Sequence, residues 1–205
     1  MLKLTLSLVL ATASFCAASM TAQAGELRFG VMQHDVEIAG LGGVREKESS
    51  QALVLDYRFD ELDIFWSPKP YVGGSLNLAG KTSHYGAGLA WTKGFSDNFY
   101  GDFSFGLAGH TGSVRVLNPI DTHEDLAGQP VDVIIAEINR RFAVKKDTIE
   151  FGSEILFRSQ FAVGYTLSDD WAAEFVYEHL SHGQILGGPE NEGLDSAGLR
   201  LARKF

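Results

Sequence analysis

Along the chain, apolar side chains alternate with polar or small ones in segments of about ten residues bounded by turn chemistry, the period-two signature of strands with two unlike faces. In 52–60 the odd positions are Leu53, Leu55, Tyr57 and Phe59, and the even ones include Asp56, Arg58 and Asp60. In 85–92, Tyr85, Ala87, Leu89 and Trp91 oppose Gly86, Gly88, Ala90 and Thr92. Segment 99–108 sets Phe99, Phe103, Phe105 and Leu107 against Tyr100, Asp102, Ser104 and Gly106. Segment 154–166 sets Ile155, Phe157, Phe161, Val163 and Tyr165 against Glu154, Arg158, Gln160 and Gly164. In 171–181 Trp171, Phe175 and Tyr177 oppose Glu174 and Glu178, and in 195–205 Ala197, Leu199, Leu201 and Phe205 lie opposite Arg200. With 26–34 and 70–79 the count is about eight strands, an even number such as closed bacterial barrels use.

A soluble sandwich would show the same alternation, so the content of the polar face decides. Asp56, Arg58, Asp102, Glu154, Arg158, Glu174, Glu178 and Arg200 can pair inside a narrow barrel in which glycines leave them room. Trp91, Phe99, Tyr165 and Trp171, near strand ends, are expected to form interfacial girdles. The predicted fold is all-β: an eight-stranded antiparallel transmembrane β-barrel with long extracellular loops.

The N-terminus supports that reading. Lys3, the apolar run Leu4 to Ala18 and the small-residue site Ala22-Gln23-Ala24 have the pattern of a secretory signal, predicting a signal peptide over 1–24 and a barrel domain over 25–205. A lipid anchor on Cys16 fits less well, because Phe15 precedes it and it sits inside the apolar run. Without Cys16 the remaining chain has no cysteine, hence no disulfide, thiol nucleophile or thiolate metal site. After the signal no apolar run reaches the roughly 18 residues of a membrane-spanning helix. The net charge of −9 argues against nucleic acid as a partner.

Outer-membrane barrels have short periplasmic turns and longer external loops. The turns near 61–69, 95–98 and 168–170 are therefore expected inside, and loops 35–50, 80–84, 109–152 and 182–194 outside. Within the third, 131–144 is apolar enough for either a strand extension or a folded cap.

Ester hydrolysis by serine needs a hydroxyl, an imidazole to take its proton and a carboxylate to orient the imidazole. His179-Leu180-Ser181 supplies the first two on one face of a strand, since residues two apart point the same way. Asp195 shares the outward parity of Leu199 and Leu201, and hairpin pairing is expected to bring it beside the end of strand 171–181. By the loop argument this is the extracellular end, where a triad would meet the outer leaflet. Read in isolation, His-x-Ser at a strand end is more commonly ordinary interfacial polarity, and 187–193 (GGPENEG) a plain turn.

The segment EHLSHGQILGGPENEGLDSAGLRLARKF resembles the closing hairpin of the lipid A 3-O-deacylase (PagL-like) family, in which His-x-Ser is followed by Asn-x-Gly-x-acid and a final amphipathic strand. FRSQFAVGYTLSDDW and SPKPYVGGSLNLAG are similar to the same family, so the resemblance runs through most of the mature chain. It implies Ser181 as nucleophile, His179 as general base and then acid, Asp195 as orienting carboxylate and Asn191 as an oxyanion donor. It also implies removal of the 3-position hydroxyacyl chain of lipid A, with lipopolysaccharide and outer-membrane lipid as partners. Neither metal nor organic cofactor is expected, and a second copy of the chain is a further candidate partner. His182 stands where the family usually has Asn. Asp195 stands where Glu is common, so the two strands must approach closely to offset one missing methylene.

Three other groups have readings of their own. His182, three residues from His179, is expected on the opposite side of the strand, which disfavours a shared metal. His123-Glu124-Asp125 reads first as a solvated loop and second as a cation site. Arg140-Arg141 and Lys145-Lys146 read first as surface charge and second as contacts for lipid phosphates. The alternative to an enzyme is a non-catalytic structural or adhesion barrel acting through loop 109–152; acyl transfer is a third reading without a dedicated acceptor site.

Overall fold

The computed structural model describes residues 25–37, 46–119 and 126–205. The expected signal segment 1–24, with Cys16, and the group His123-Glu124-Asp125 lie outside the described residues. Eight strands follow in order: β1 Glu26–His34, β2 Ser50–Arg58, β3 Lys69–Asn77, β4 His84–Gly94, β5 Phe99–His110, β6 Ile155–Thr166, β7 Trp171–Ser181 and β8 Leu194–Lys204. Each pairs antiparallel with the next, and β8 returns to β1 to close the barrel. Closure leaves no unpaired edge, which is what allows strands to cross hydrocarbon. No described helix is long and apolar enough to cross a membrane.

The expected strands are recovered to within two residues. β2 ends at Arg58, two residues earlier than expected, because its pairing with β3 stops at Arg58 opposite Tyr71. The chain then enters a turn in which Trp66 and Ser67 take positive φ (67° and 43°). Asp60 is exposed there and is not a lumen residue.

The two faces have the expected contents, with additions. Arg28, Arg58, Arg158 and Arg200 point inward and are 0–2% exposed. Arg58 grips Asp102 with both nitrogens (2.5 and 2.7 Å). Arg158 spans Glu178 (2.6 Å) and Asp56 (2.8 Å), and Arg200 binds Glu174 and reaches Asp56 (3.1 Å). Arg28, which alternation alone did not single out, joins Glu26 (2.6 Å) to Glu174 (2.7 Å). Room for this packing comes from glycine: a Cβ on Gly73, the cross-strand partner of Asp56, would fall 1.9 Å from its carboxylate oxygen. Glu154 departs from expectation; it precedes β6 and is exposed, so it takes no part in the lumen network.

Two apolar clusters share the interior. Met32, Val54, Ala162 and Val176 form one. Ile149 and Phe151, at the end of the long β5–β6 connection, pack with Ala108, Leu156, Leu180 and Leu194 to form the other. The outer wall carries Val31, Leu53, Leu55, Leu76, Phe105, Leu107, Phe161, Val163, Phe175 and Leu199, all exposed in the isolated chain. An apolar belt of that extent is a surface that a bilayer covers. The expected aromatic girdles are corrected in position. Trp91, Phe99, Tyr165 and Trp171 all stand at the ends of β4, β5, β6 and β7 that meet the connections 95–98 and 167–170, so they form one girdle at one end. Phe99 meets Tyr165 edge-on at 4.9 Å, and Arg203 lies over Trp171 at 5.3 Å.

The ambiguous stretch in the long connection is a helix, α1, over Val131–Lys146, and adds no strand. Pro130 fixes the backbone ahead of the first turn, Asp132 lies in the first turn, and Lys145 and Lys146 lie in the last, complementing the helix dipole. Val131, Ile135, Ile138 and Phe142 recur at three- and four-residue intervals, the spacing of one helical face and not of a strand.

Candidate active site

β7 and β8 set the site by register. Their hairpin pairs His179 directly with Asp195, and Ser181 follows two residues later at the end of β7. Inward residues on these strands are tied to the lumen: Glu174, Glu178 and Arg200 are at most 2% exposed. Odd positions of β7 therefore turn outward. His179, Ser181 and Asp195 consequently share the outer wall at the end of the barrel that carries the long connections.

His179 Nδ1 lies 2.6 Å from Asp195 Oδ1, and His179 Nε2 lies 3.0 Å from Ser181 Oγ. An ionised carboxylate only accepts hydrogen bonds, so Nδ1 carries the proton. That leaves the Nε2 lone pair to receive the Ser181 O–H. The His179 side chain is 33% exposed and that of Asp195 5%, so the ring is reachable from outside while the acid behind it is shielded. The shorter acid reaches because the two Cα atoms are direct cross-strand partners.

The connection 182–193 folds back onto the site. His182 lies one residue past the end of β7 and is fully buried. Its ring Nε2 contacts the Glu190 carbonyl at 2.6 Å, and its backbone N–H donates to Asn191 Oδ1 at 3.1 Å. Because that N–H needs an acceptor, the amide oxygen of Asn191 faces His182, and its NH2 is the part left to donate elsewhere. Gly193 has φ of +70°, and a Cβ there would sit 3.3 Å from His179 Cε1, so this turn both requires glycine and presses against the imidazole.

A polar brace holds that connection to the rest of the rim. Glu192 pairs with Lys47 at 2.5 Å and accepts the Glu150 backbone N–H at 2.8 Å. Glu48 accepts from the Thr82 N–H at 3.0 Å and lies 3.5 Å from His34. Burial alone would raise the Glu48 carboxyl, but the bonds from His34, Thr82 and Ile149 outweigh it and hold it down to about 2. Arg140 and Arg141 both bind Glu137, and Lys145 binds Glu150 at 2.7 Å, so these cations are engaged within the chain.

Sequence reasoning missed two features of this site. Lys47, Glu48 and Glu192 lie in connections, where no periodicity marks a partner. Tyr177 was read only as part of the outward apolar face, yet its hydroxyl donates to Asp195 Oδ1 at 2.7 Å. The available signal was parity: Tyr177, His179 and Ser181 are three successive outward positions of one strand. Below them the wall becomes an apolar groove lined by Phe99, Val163, Phe175, Leu199 and Leu201.

A family model described as "Lipid A 3-O-deacylase (PagL)" matches residues 71–204. Among curated proteins none matches by sequence. The crystal structure of the outer membrane enzyme PagL is similar over 89% of this chain and 99% of that one, with a TM-score of 0.50 at 13% identity. The Yersinia pestis outer membrane protein Ail is similar over 90% and 100%, with a TM-score of 0.45 at 11% identity. The outer membrane protein OprG from Pseudomonas aeruginosa is similar over 90% and 96%, with a TM-score of 0.38 at 13% identity.

Proposed function

The chain belongs to the lipid A 3-O-deacylase (PagL) family, and from that premise we propose that it is an outer-membrane ester hydrolase that removes the 3-position 3-hydroxyacyl chain of lipid A in lipopolysaccharide. The observation that carries the reading is the hydrogen-bonded chain Asp195, His179, Ser181 on an apolar outer wall, with the His179 ring one-third exposed. A soluble esterase would need a pocket to gather its substrate. Here lateral diffusion delivers the ester, with acyl chains along the groove near Phe175 and Leu199 and the head group toward the connections.

Each residue then has a role that follows from its hydrogen bonds. Ser181 Oγ attacks the ester carbonyl as His179 Nε2 takes its proton, and Asp195 holds the imidazolium that forms. Asn191 donates its amide to the developing oxyanion, a contribution of about 3–4 kcal/mol for one donor in comparable sites. Collapse breaks the bond to the sugar oxygen, which receives the proton from His179 and leaves as an alcohol. Water, deprotonated by His179, then cleaves the acyl-Ser181 ester and releases a hydroxy fatty acid.

The site lies at the end bearing the β1–β2, β5–β6 and β7–β8 connections. In outer-membrane barrels the longer loops are external, which favours the extracellular leaflet for the triad. This topology also requires export, in keeping with cleavage of 1–24 and a mature barrel of 25–205. Mass spectrometry of lipid A from cells making the wild type is expected to show loss of one hydroxyacyl chain, and Ser181→Ala to restore it at equal amounts of folded barrel. Lipid A that carries the 3-position chain and stays unmodified by folded wild-type protein would refute the assignment.

A further inference from the structure

Tyr177 stands one outward step from His179 on β7 and shares its acceptor. The phenol O–H and the imidazole Nδ1–H both reach Asp195 Oδ1, at 2.7 and 2.6 Å. We propose that Tyr177 is a positioning residue of this site: it fixes the Asp195 carboxylate from the side away from Ser181 and moderates the pull of that carboxylate on His179. Its effect on turnover rests on the deacylase reading; the coupling between the three side chains does not.

The physical need is specific to this acid. Asp195 is 5% exposed, so bulk water offers it few donors, and an ionised carboxylate facing hydrocarbon requires them. Being short, it sits close to its own strand, directly opposite His179, between the rings at 177 and 179. Tyr177 thereby closes the acid off on the membrane side and allows one rotamer. A second donor on the same oxygen also withdraws charge from it, which weakens its stabilisation of the imidazolium.

Among the described residues, the neighbouring strands offer no competing partner for this chain of bonds. On β6 the residues paired with Tyr177, His179 and Ser181 are Phe161, Ser159 and Phe157, none of which titrates. On β8 Ala197 lies beside Tyr177. Beyond β8, Gln33 of β1 pairs with Ala197, and the carboxylate of Asp35 accepts the backbone N–H groups of Lys47 and Glu48. His34 is matched with Glu48, and Glu192 with Lys47.

The test is a titration of His179 by nitrogen-15 NMR in histidine-labelled protein folded in detergent micelles. The chain has six histidines, and the His179 signals are those lost in His179→Gln. Tyr177→Phe keeps the ring and removes only the hydroxyl. It is expected to raise the His179 midpoint by about half to one pH unit, because the full carboxylate charge then acts on the imidazolium. With purified lipopolysaccharide in the same micelles, kcat is expected to fall about tenfold with KM unchanged, and the acid limb of its pH profile to move by the same increment. A midpoint that is unchanged or lower in Tyr177→Phe overturns the proposal. An inactive wild type with a shifted midpoint would remove the deacylase reading and leave the coupling standing, whereas an active wild type with an unmoved midpoint would do the reverse.

Discussion

Glu178 and His179 are neighbours on β7, yet they stand in different surroundings. Glu178 enters the lumen, fully buried, with Arg158 at 2.6 Å and His84 at 3.1 Å. His179 leaves through the outer wall, one-third exposed, between a hydroxyl and a carboxylate. A single step along the strand separates a buried ionic lattice from the Asp195–His179–Ser181 chain of hydrogen bonds on the outer wall. Burial and shared ion pairs make the lattice a frame, because Arg158 and Arg200 each hold two carboxylates. Openness is what the proposed hydrolysis would use, because the His179 ring meets a hydroxyl on one side and a carboxylate on the other and takes no part in the lumen network.

Substitutions at these adjacent positions give the sharpest test of that division. His179→Ala should lower turnover on the order of 10⁴-fold, measured as hydroxy fatty acid release, while unfolding in denaturant is unaffected. Glu178→Ala should do the converse, costing about 3–5 kcal/mol in the same unfolding measurement by leaving Arg158 short of a partner, with activity per folded molecule preserved. Loss of activity without loss of stability in Glu178→Ala would blur the two faces into one.

Asn191→Ala tests the connection that folds back over the wall. A fall of about 10²–10³ in kcat with little change in KM is expected if its amide serves the oxyanion. The smallest effect should come from acid. Glu48 is held near 2, below its ordinary 4.5, so its contribution to the rim is complete above about pH 4.5 and is lost as pH falls toward 2. The protection of the adjoining amides 148–151 against hydrogen exchange, relative to the intrinsic rate at each pH, should fall over that interval in the wild type, and in Glu48→Gln it should be low at both ends of it.

The outward half of this comparison was largely legible in the sequence. Period-two alternation fixes which face each residue takes, and antiparallel pairing of the consecutive strands β7 and β8 brings Asp195 to His179. The inward half was legible in content but not in pairing. Arg28 and Glu174 meet across 146 positions of sequence, and nothing local to either selects the other. Tyr177 was hidden for a different reason, since tyrosine suits an outward barrel face whether or not its hydroxyl is used. Glu154 has lumen parity but lies before the ladder begins, where parity no longer determines direction. Helix α1 is ambiguous by its apolar run alone, which fits two periods; Pro130 and the 3–4 spacing taken together point to a helix.

The filled lumen has a consequence for the membrane that houses it. Guanidinium and carboxylate groups occupy the barrel's cross-section so tightly that a water molecule finds little surface to touch, and Ile149 and Phe151 stop the mouth. Inserted into a planar bilayer, such a cylinder should be electrically silent, drawing no steady current at moderate voltage. The protein can therefore sit in the envelope without making it leaky to small solutes.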